Sequence, residues 1–375
     1  MIFDDKLRSN TGPAKNKESF YSYLDRSARS EAAQIRNVIE EWATIYPTSE
    51  YPDFTNKLRS NDDKVFLPAF FELYLYILMK KLNATKIDIE PSVAHTSKHP
   101  DFHIHLNDDK NFYLEARCLF EDDEYTKQDD VITRIADRID NRLKGNQIAL
   151  GLYWDGDPFE KDFSSKILSD LITWYKNLNI NKSIDKEIKL FEFDSWNIKF
   201  TVMGKVKSDH RVVNAHMPQD MRMVTVDARL RSALRDKAYR YGKLPSQFAI
   251  AANIIEGTND FQIHNALFGN EATEYNPTTK KYNDIRIGNG FWRGEKKWHY
   301  SRVGAVIIAN KVNPWSIFKS DNKQLQIYLH PNTENSLTIP SLNKLPIYKT
   351  TENNGYCLHE GKSAHEILEL PTLFE

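Results

Sequence analysis

The chain has 375 residues, 40% of them hydrophobic and 27% charged, with a net charge of −1 at neutral pH. This composition suits a globular fold with one large domain and an appendage, or with two domains. It excludes the bulk basicity of many nucleic-acid binders, so any nucleic-acid surface must be a local patch.

No run of about 18 apolar residues predicts a membrane span. The first residues, MIFDDKLRSNTGPAK, lack the apolar core of a signal peptide, so a cytoplasmic location is expected. Cys118 and Cys357 are too few for a disulfide framework.

Residues 1–30 are polar and without a period. Ala32, Ile35, Val38, Ile39 and Trp42 then recur at helical spacing, and the prolines of YPTSEYPDF (46–54) end that helix. VFLPAFFELYLYILMKKL (65–82) is apolar nearly all round, which predicts a buried helix with Asn83 as its C-cap. Strands are predicted over 86–91, 101–106 and 111–119. A helix over 129–143, a strand over 147–154, a helix over 164–178 and a strand over 196–203 follow. The spacing next predicts a helix over 228–241 and strands over 248–255, 303–309 and 325–329. The polar stretch 270–289 reads as a long loop. Helices alternating with strands predict an α/β fold built on a mixed sheet.

The stretch HPDFHIHLNDDKNFYLEARCLF (99–120) carries the chemistry. In a strand, Tyr113, Glu115 and Arg117 share one face, and Phe112, Leu114, Ala116 and Cys118 the other. The short HLNDDKN link predicts a hairpin that brings Asp101 towards Glu115. Two carboxylates at close range repel and call for a cation, and a hard divalent ion such as Mg²⁺ selects such oxygen ligands. The alternative is that Asp101 caps a turn and Glu115 pairs with Arg117. Glu72 is a lone carboxylate in FFELYLY, costly to bury unpaired. It is either a third carboxylate for the same cation, or part of an exposed stripe or a salt bridge.

The order Glu72, Pro100-Asp101, Glu115-Ala116-Arg117 resembles the PD-(D/E)xK, restriction-endonuclease-like superfamily. The longer strings resemble a bacterial family of large uncharacterised proteins assigned to that fold. They are FFELYLYILMKKL, TSKHPDF, FYLEA, LRSALRDKAYRYGKLPSQFAIAAN, GAVIIANKVNPWSIF and IYLHPNTE, and the resemblance runs from YLDRSAR (23–29) to the HPN at 330–332. It implies a restriction-endonuclease-like mixed sheet flanked by helices, with Mg²⁺ (or Mn²⁺) held by Asp101, Glu115 and Glu72. The superfamily's usual Lys is Arg117 here. Arginine stays protonated, so it can hold a phosphate but not act as a base. Lys237, in RDKAYRYGKLP, is the candidate for a lysine moved to a neighbouring helix. Arg235, Arg240 and Tyr241 lie beside it as candidate nucleic-acid contacts, the alternative being a solvated cationic helix.

Other clusters are weighed and set lower. His95, His99, His103 and His105 lack the spacing of a known zinc site and are expected to contact phosphate or solvent. CLHEGKSAH (357–365) has the wrong spacing for a zinc protease. GNGFWRGEKKWH (288–299) would either stack on a nucleic acid strand or be a loop packed through Trp292 and Trp298.

The sequence thus predicts a helical region over 1–60, a core over 61–345 with an insertion at about 155–205, and a tail over 346–375. The expected function is that of a Mg²⁺-dependent endonuclease, acting more on DNA than RNA, with defence against phage or foreign DNA as the role the superfamily suggests. The alternative is a degenerate nuclease-like domain that binds nucleic acid or a partner protein without cutting. No membrane partner is expected; a homodimer or a partner protein of a defence system is compatible with the superfamily.

Overall fold

The computed structural model describes the chain apart from residues 16, 48–51, 95, 108–109, 122, 179–186, 208–209, 219–225, 333–336, 338, 351–355 and 374–375. Four helices come first: α1 (Phe20–Arg26), α2 (Ser30–Ile45), α3 (Pro52–Leu58) and α4 (Asp63–Lys81). Strands β1 (Lys86–Ile89), β2 (Phe102–His105) and β3 (Asn111–Leu119) follow. Next come α5 (Asp123–Arg142), β4 (Ile148–Gly156), α6 (Ser165–Lys176), β5 (Ile188–Glu192), β6 (Trp196–Lys205) and β7 (Val213–Pro218). The chain continues through α7 (Val226–Ala238), β8 (Gln247–Ile254), α8 (Asp260–Phe268), β9 (Glu271–Asn276), β10 (Lys281–Arg286) and β11 (Val303–Asn310). It closes with β12 (Leu325–Leu329), β13 (Ile347–Thr350), β14 (Tyr356–His359) and α9 (Ala364–Ile367).

These elements form two compact units, one of residues 1–5, 33–120 and 225–375, the other of 6–32 and 121–224. Where an insertion at about 155–205 is expected, the second unit therefore takes in the wider span 121–224 together with an N-terminal segment.

The first unit is α/β, built on an eight-stranded mixed sheet in the order β1-β2-β3-β8-β11-β12-β13-β14. β1, β2 and β3 run antiparallel, and β3, β8 and β11 run parallel. Central strands read as continuous apolar runs because both faces are covered: every residue of β8 after Gln247 is buried. One face packs on α7 and α8 through Tyr113, Phe248, Ile250, Leu230, Leu234 and Ile263. The other carries Phe102, whose ring lies 6.3 Å from that of Tyr76 on α4.

α4 is buried on nearly every side, as its composition predicts. Asp62 caps it by accepting from the Lys64 N–H at 2.8 Å, and Asn83 at φ 71° turns the chain out.

The stretch 270–289 is not a loop but largely the antiparallel hairpin β9–β10. Both of its faces are mostly exposed, so its sequence shows no apolar alternation to reveal it. Asn276 shapes its turn by accepting from the Thr278 and Thr279 N–H groups at 3.0 Å each.

The second unit has its own four-stranded sheet, β5-β6-β4-β7, and its own core around Trp154, Phe163, Leu171, Trp196 and Phe200. The Trp196 indole N–H reaches Asp162 at 3.1 Å, which satisfies the one polar atom that this ring takes inside.

Candidate active site

The register of β2 on β3 aligns Phe102 with Leu114, so the residue before β2 falls beside Glu115. Asp101 is held there by its own backbone and side chain. Its carbonyl accepts from the Glu90 N–H at 2.9 Å, and its Oδ2 accepts from the Ala116 N–H at 2.6 Å.

Glu115 is only 1% exposed. A buried carboxylate needs partners, and it has two: the Lys237 ammonium donates to Oε1 and the Tyr241 hydroxyl to Oε2. Both come from the end of α7 or just past it, across 122 and 126 residues of sequence. Burial, and then the Glu115 charge, push the Tyr241 hydroxyl far up, so it stays protonated and donates.

Two further carboxyl groups share this field. Burial raises Asp101 well above the usual carboxylate range, and the charges of Glu115 and Glu72 add to that; the Ala116 N–H and Lys237 pull the other way. Burial likewise lifts Glu72 to about 7, with Lys57 and Lys237 opposing and Glu90 and Glu115 adding to the rise. Three acids in one low-dielectric neighbourhood, with Lys237 the cation they share, suit a divalent cation with oxygen ligands.

They do not all act at one point. Among the described residues, Asp88, His103 and His105 are the group of three whose ligand atoms all lie within 4.8 Å of one another. Glu72, Asp101 and Glu115 are not such a group. Glu72 rises from α4, on the Phe102 side of the sheet, whereas Glu115 shares its face with Tyr113. Asp101 and Glu115 are therefore the neighbouring pair across β2 and β3, and Glu72 acts on them through its charge.

The other expected residues divide. Arg117 is exposed on β3, and Arg240 is exposed just past α7 with its guanidinium 5.9 Å from the Tyr241 ring centroid. Tyr241 is buried and committed to Glu115, so it is not a surface contact for nucleic acid. Arg235 is half-buried, and its guanidinium donates to the carbonyls of Asn289 at 3.1 Å and Gly290 at 3.3 Å, clasping a loop. Arg231 does the same with the Asn265 carbonyl at 3.0 Å and Asn270 Oδ1 at 2.8 Å. Two of the arginines of α7 thus tie neighbouring loops to the helix. In GNGFWRGEKKWH, Phe291 and Trp292 are fully buried in the core, which settles that loop as packing at those two positions.

Of the histidines, His95 lies outside the described residues. His99 Nδ1 sits 3.1 Å from the Pro91 carbonyl. His103 and His105 meet Asp88, which no local pattern marks because its partners stand on a neighbouring strand.

No protein-family model matches this chain, and no curated protein or solved structure does either.

Proposed function

We propose that this protein is a divalent-metal-dependent endonuclease with a restriction-endonuclease-like core, cleaving phosphodiester bonds in DNA. The observation that carries this reading is the meeting of Asp101, Glu115 and Lys237 where the start of β2 lies beside the middle of β3, with the lysine supplied by a helix far along the chain. That is the arrangement expected if the superfamily's lysine has moved off the strand. Asp101 and Glu115 would hold Mg²⁺ or Mn²⁺, which supplies Lewis-acid stabilisation and an activated water. Lys237 balances the Glu115 charge and keeps an ammonium beside the acids. Arg117 and Arg240, both exposed, would meet phosphate oxygens as fixed cations. Defence against phage or foreign DNA in the cytoplasm is the setting that goes with this reading.

A second reading, in which the domain binds nucleic acid or a partner protein without cutting, draws on one feature. Both Glu115 oxygens already accept hydrogen bonds, from Lys237 and Tyr241, as in a structural ion pair.

The deciding experiment incubates the purified protein with plasmid, single-stranded DNA and RNA, with Mg²⁺ or Mn²⁺, beside Asp101→Ala, Glu115→Ala and Lys237→Ala. The expected result is cleavage that each substitution lowers by at least about a hundredfold. Cleavage that survives Asp101→Ala and Glu115→Ala, or no cleavage of any substrate, rejects the nuclease assignment. DNA retention without cleavage supports the second reading.

A further inference from the structure

We propose that Asp88, His103 and His105 form a separate binding site for a borderline transition-metal ion of the Zn²⁺ class. The site lies on the edge pair of the large sheet. β1 and β2 are antiparallel with Asp88 directly opposite His103, and His105 lies two residues on, on the same face. A carboxylate and two imidazoles on one face of two paired strands is a donor set for zinc or its neighbours, not for magnesium.

The distances fit. Asp88 Oδ2 is 2.8 Å from His105 Nε2 and 3.9 Å from His103 Nδ1. Ligands at about 2.0–2.1 Å around a tetrahedral ion stand about 3.3 Å apart, so the observed pair of separations brackets the required one. Three protein ligands leave a fourth position for water or a substrate atom.

The surroundings orient the ligands. His103 Nε2 lies 3.0 Å from Asn111 Oδ1, which also accepts from the Ser246 hydroxyl. An oxygen at that place makes Nε2 the protonated nitrogen and leaves the lone pair on Nδ1, the atom facing Asp88. This is the outer contact that metal-bound histidines use to fix tautomer and ring orientation. The His103 ring is further fixed by stacking on Tyr113, 4.2 Å between centroids and 6° between planes.

The charge states agree with this. Burial lowers the His103 imidazole from its ordinary range, in the direction of the neutral form that a metal ligand needs. Partial burial works to raise Asp88, but bonds from Lys86 and His105 outweigh it and keep the carboxylate ionised. Lys86 occupies the other oxygen, Oδ1, at 2.7 Å, leaving Oδ2 turned to the imidazoles. The site shares no residue with the Asp101–Glu115 pair, so it stands whether or not that pair cuts DNA.

The test strips the full-length protein with a chelator and titrates it with Co²⁺, followed by visible d–d absorption, and with Zn²⁺, followed by calorimetry. The expected result is about one tightly bound equivalent per chain with the d–d spectrum of a nitrogen-ligated ion, and that component should persist when Glu72→Gln is made elsewhere in the unit. The doubly substituted His103→Ala, His105→Ala protein should lose it, and Asn111→Ala should weaken it about 10–100-fold. Nitrogen NMR of the unsubstituted protein gives a readout independent of variant folding: Zn²⁺ should shift His103 Nδ1 and His105 Nε2 together. Absence of binding, binding kept by the double variant, or shifts confined to other histidines overturns the assignment.

Discussion

Glu72 carries a charge that its surroundings resist, and the resistance has a sign. Its carboxyl is lifted from 4.5 to about 7 by burial, so the folded chain binds that proton more tightly than the unfolded one. The stabilisation is complete below about pH 4.5 and is lost as the pH rises through about 7. In the presence of a chelator, Glu72→Gln should therefore unfold at higher urea than the parent at pH 8, by on the order of 3 kcal/mol, and match it near pH 4. Superimposable pH profiles for the two proteins would mean that the carboxyl is not held as described. Glu72, Asp101 and Glu115 could be picked from the sequence because each interrupts an apolar run or follows a proline. Asp88 could not, since KIDIEP alternates like any edge strand and its histidine partners become neighbours only through the β1–β2 register. For Arg235 and Tyr241, helical spacing tells only which residues share a face. It does not tell what covers that face, and here a loop and a carboxylate do.

Among the elements, α7 is fastened to β3 by one ion pair in a nearly dry place, Lys237 to Glu115, with side chains 12% and 1% exposed. Removing one partner of such a pair leaves an uncompensated charge, whereas removing both removes the debt. Lys237→Met should thus cost about 3–5 kcal/mol in denaturant unfolding, and adding Glu115→Gln should restore most of it. Additive losses would show that the two side chains do not interact. The long elements α4, β3, β8 and β11 were legible from apolar content alone, because both faces of their sheet or helix are covered. α8 carries a local signal in its sequence: NDFQ opens it, and Asn259 and Gln262 form a capping box. The β9–β10 hairpin and the short strands β5, β13 and β14 gave no such signal, being exposed or four to six residues long.

At the scale of the whole molecule, a net charge of −1 offers phosphate no general attraction. On the nuclease reading proposed above, DNA would be held by a few exposed cations such as Arg117 and Arg240. The slope of log K against log salt for a labelled duplex, measured by anisotropy in chelator, should be no steeper than about −3, and each Arg→Ala change should reduce it by about 1. A slope steeper than that would point to a basic surface elsewhere. The division into an α/β unit and an inserted segment was legible only in outline, since a boundary is set by which strands pair, and pairing is not written locally. The chain leaves the first unit after residue 120 and rejoins it at 225. Lys237 consequently emerges from the ribosome 122 residues after Glu115. At ordinary elongation rates the acid waits roughly 6–24 s for its counter-ion. During synthesis Glu115 must therefore stay in water, and β3 cannot settle into its final place until β8 has been made. The catalytic candidate is assembled only after residues 121–224 of the second unit have been made, so a nascent chain carries the acids without the site.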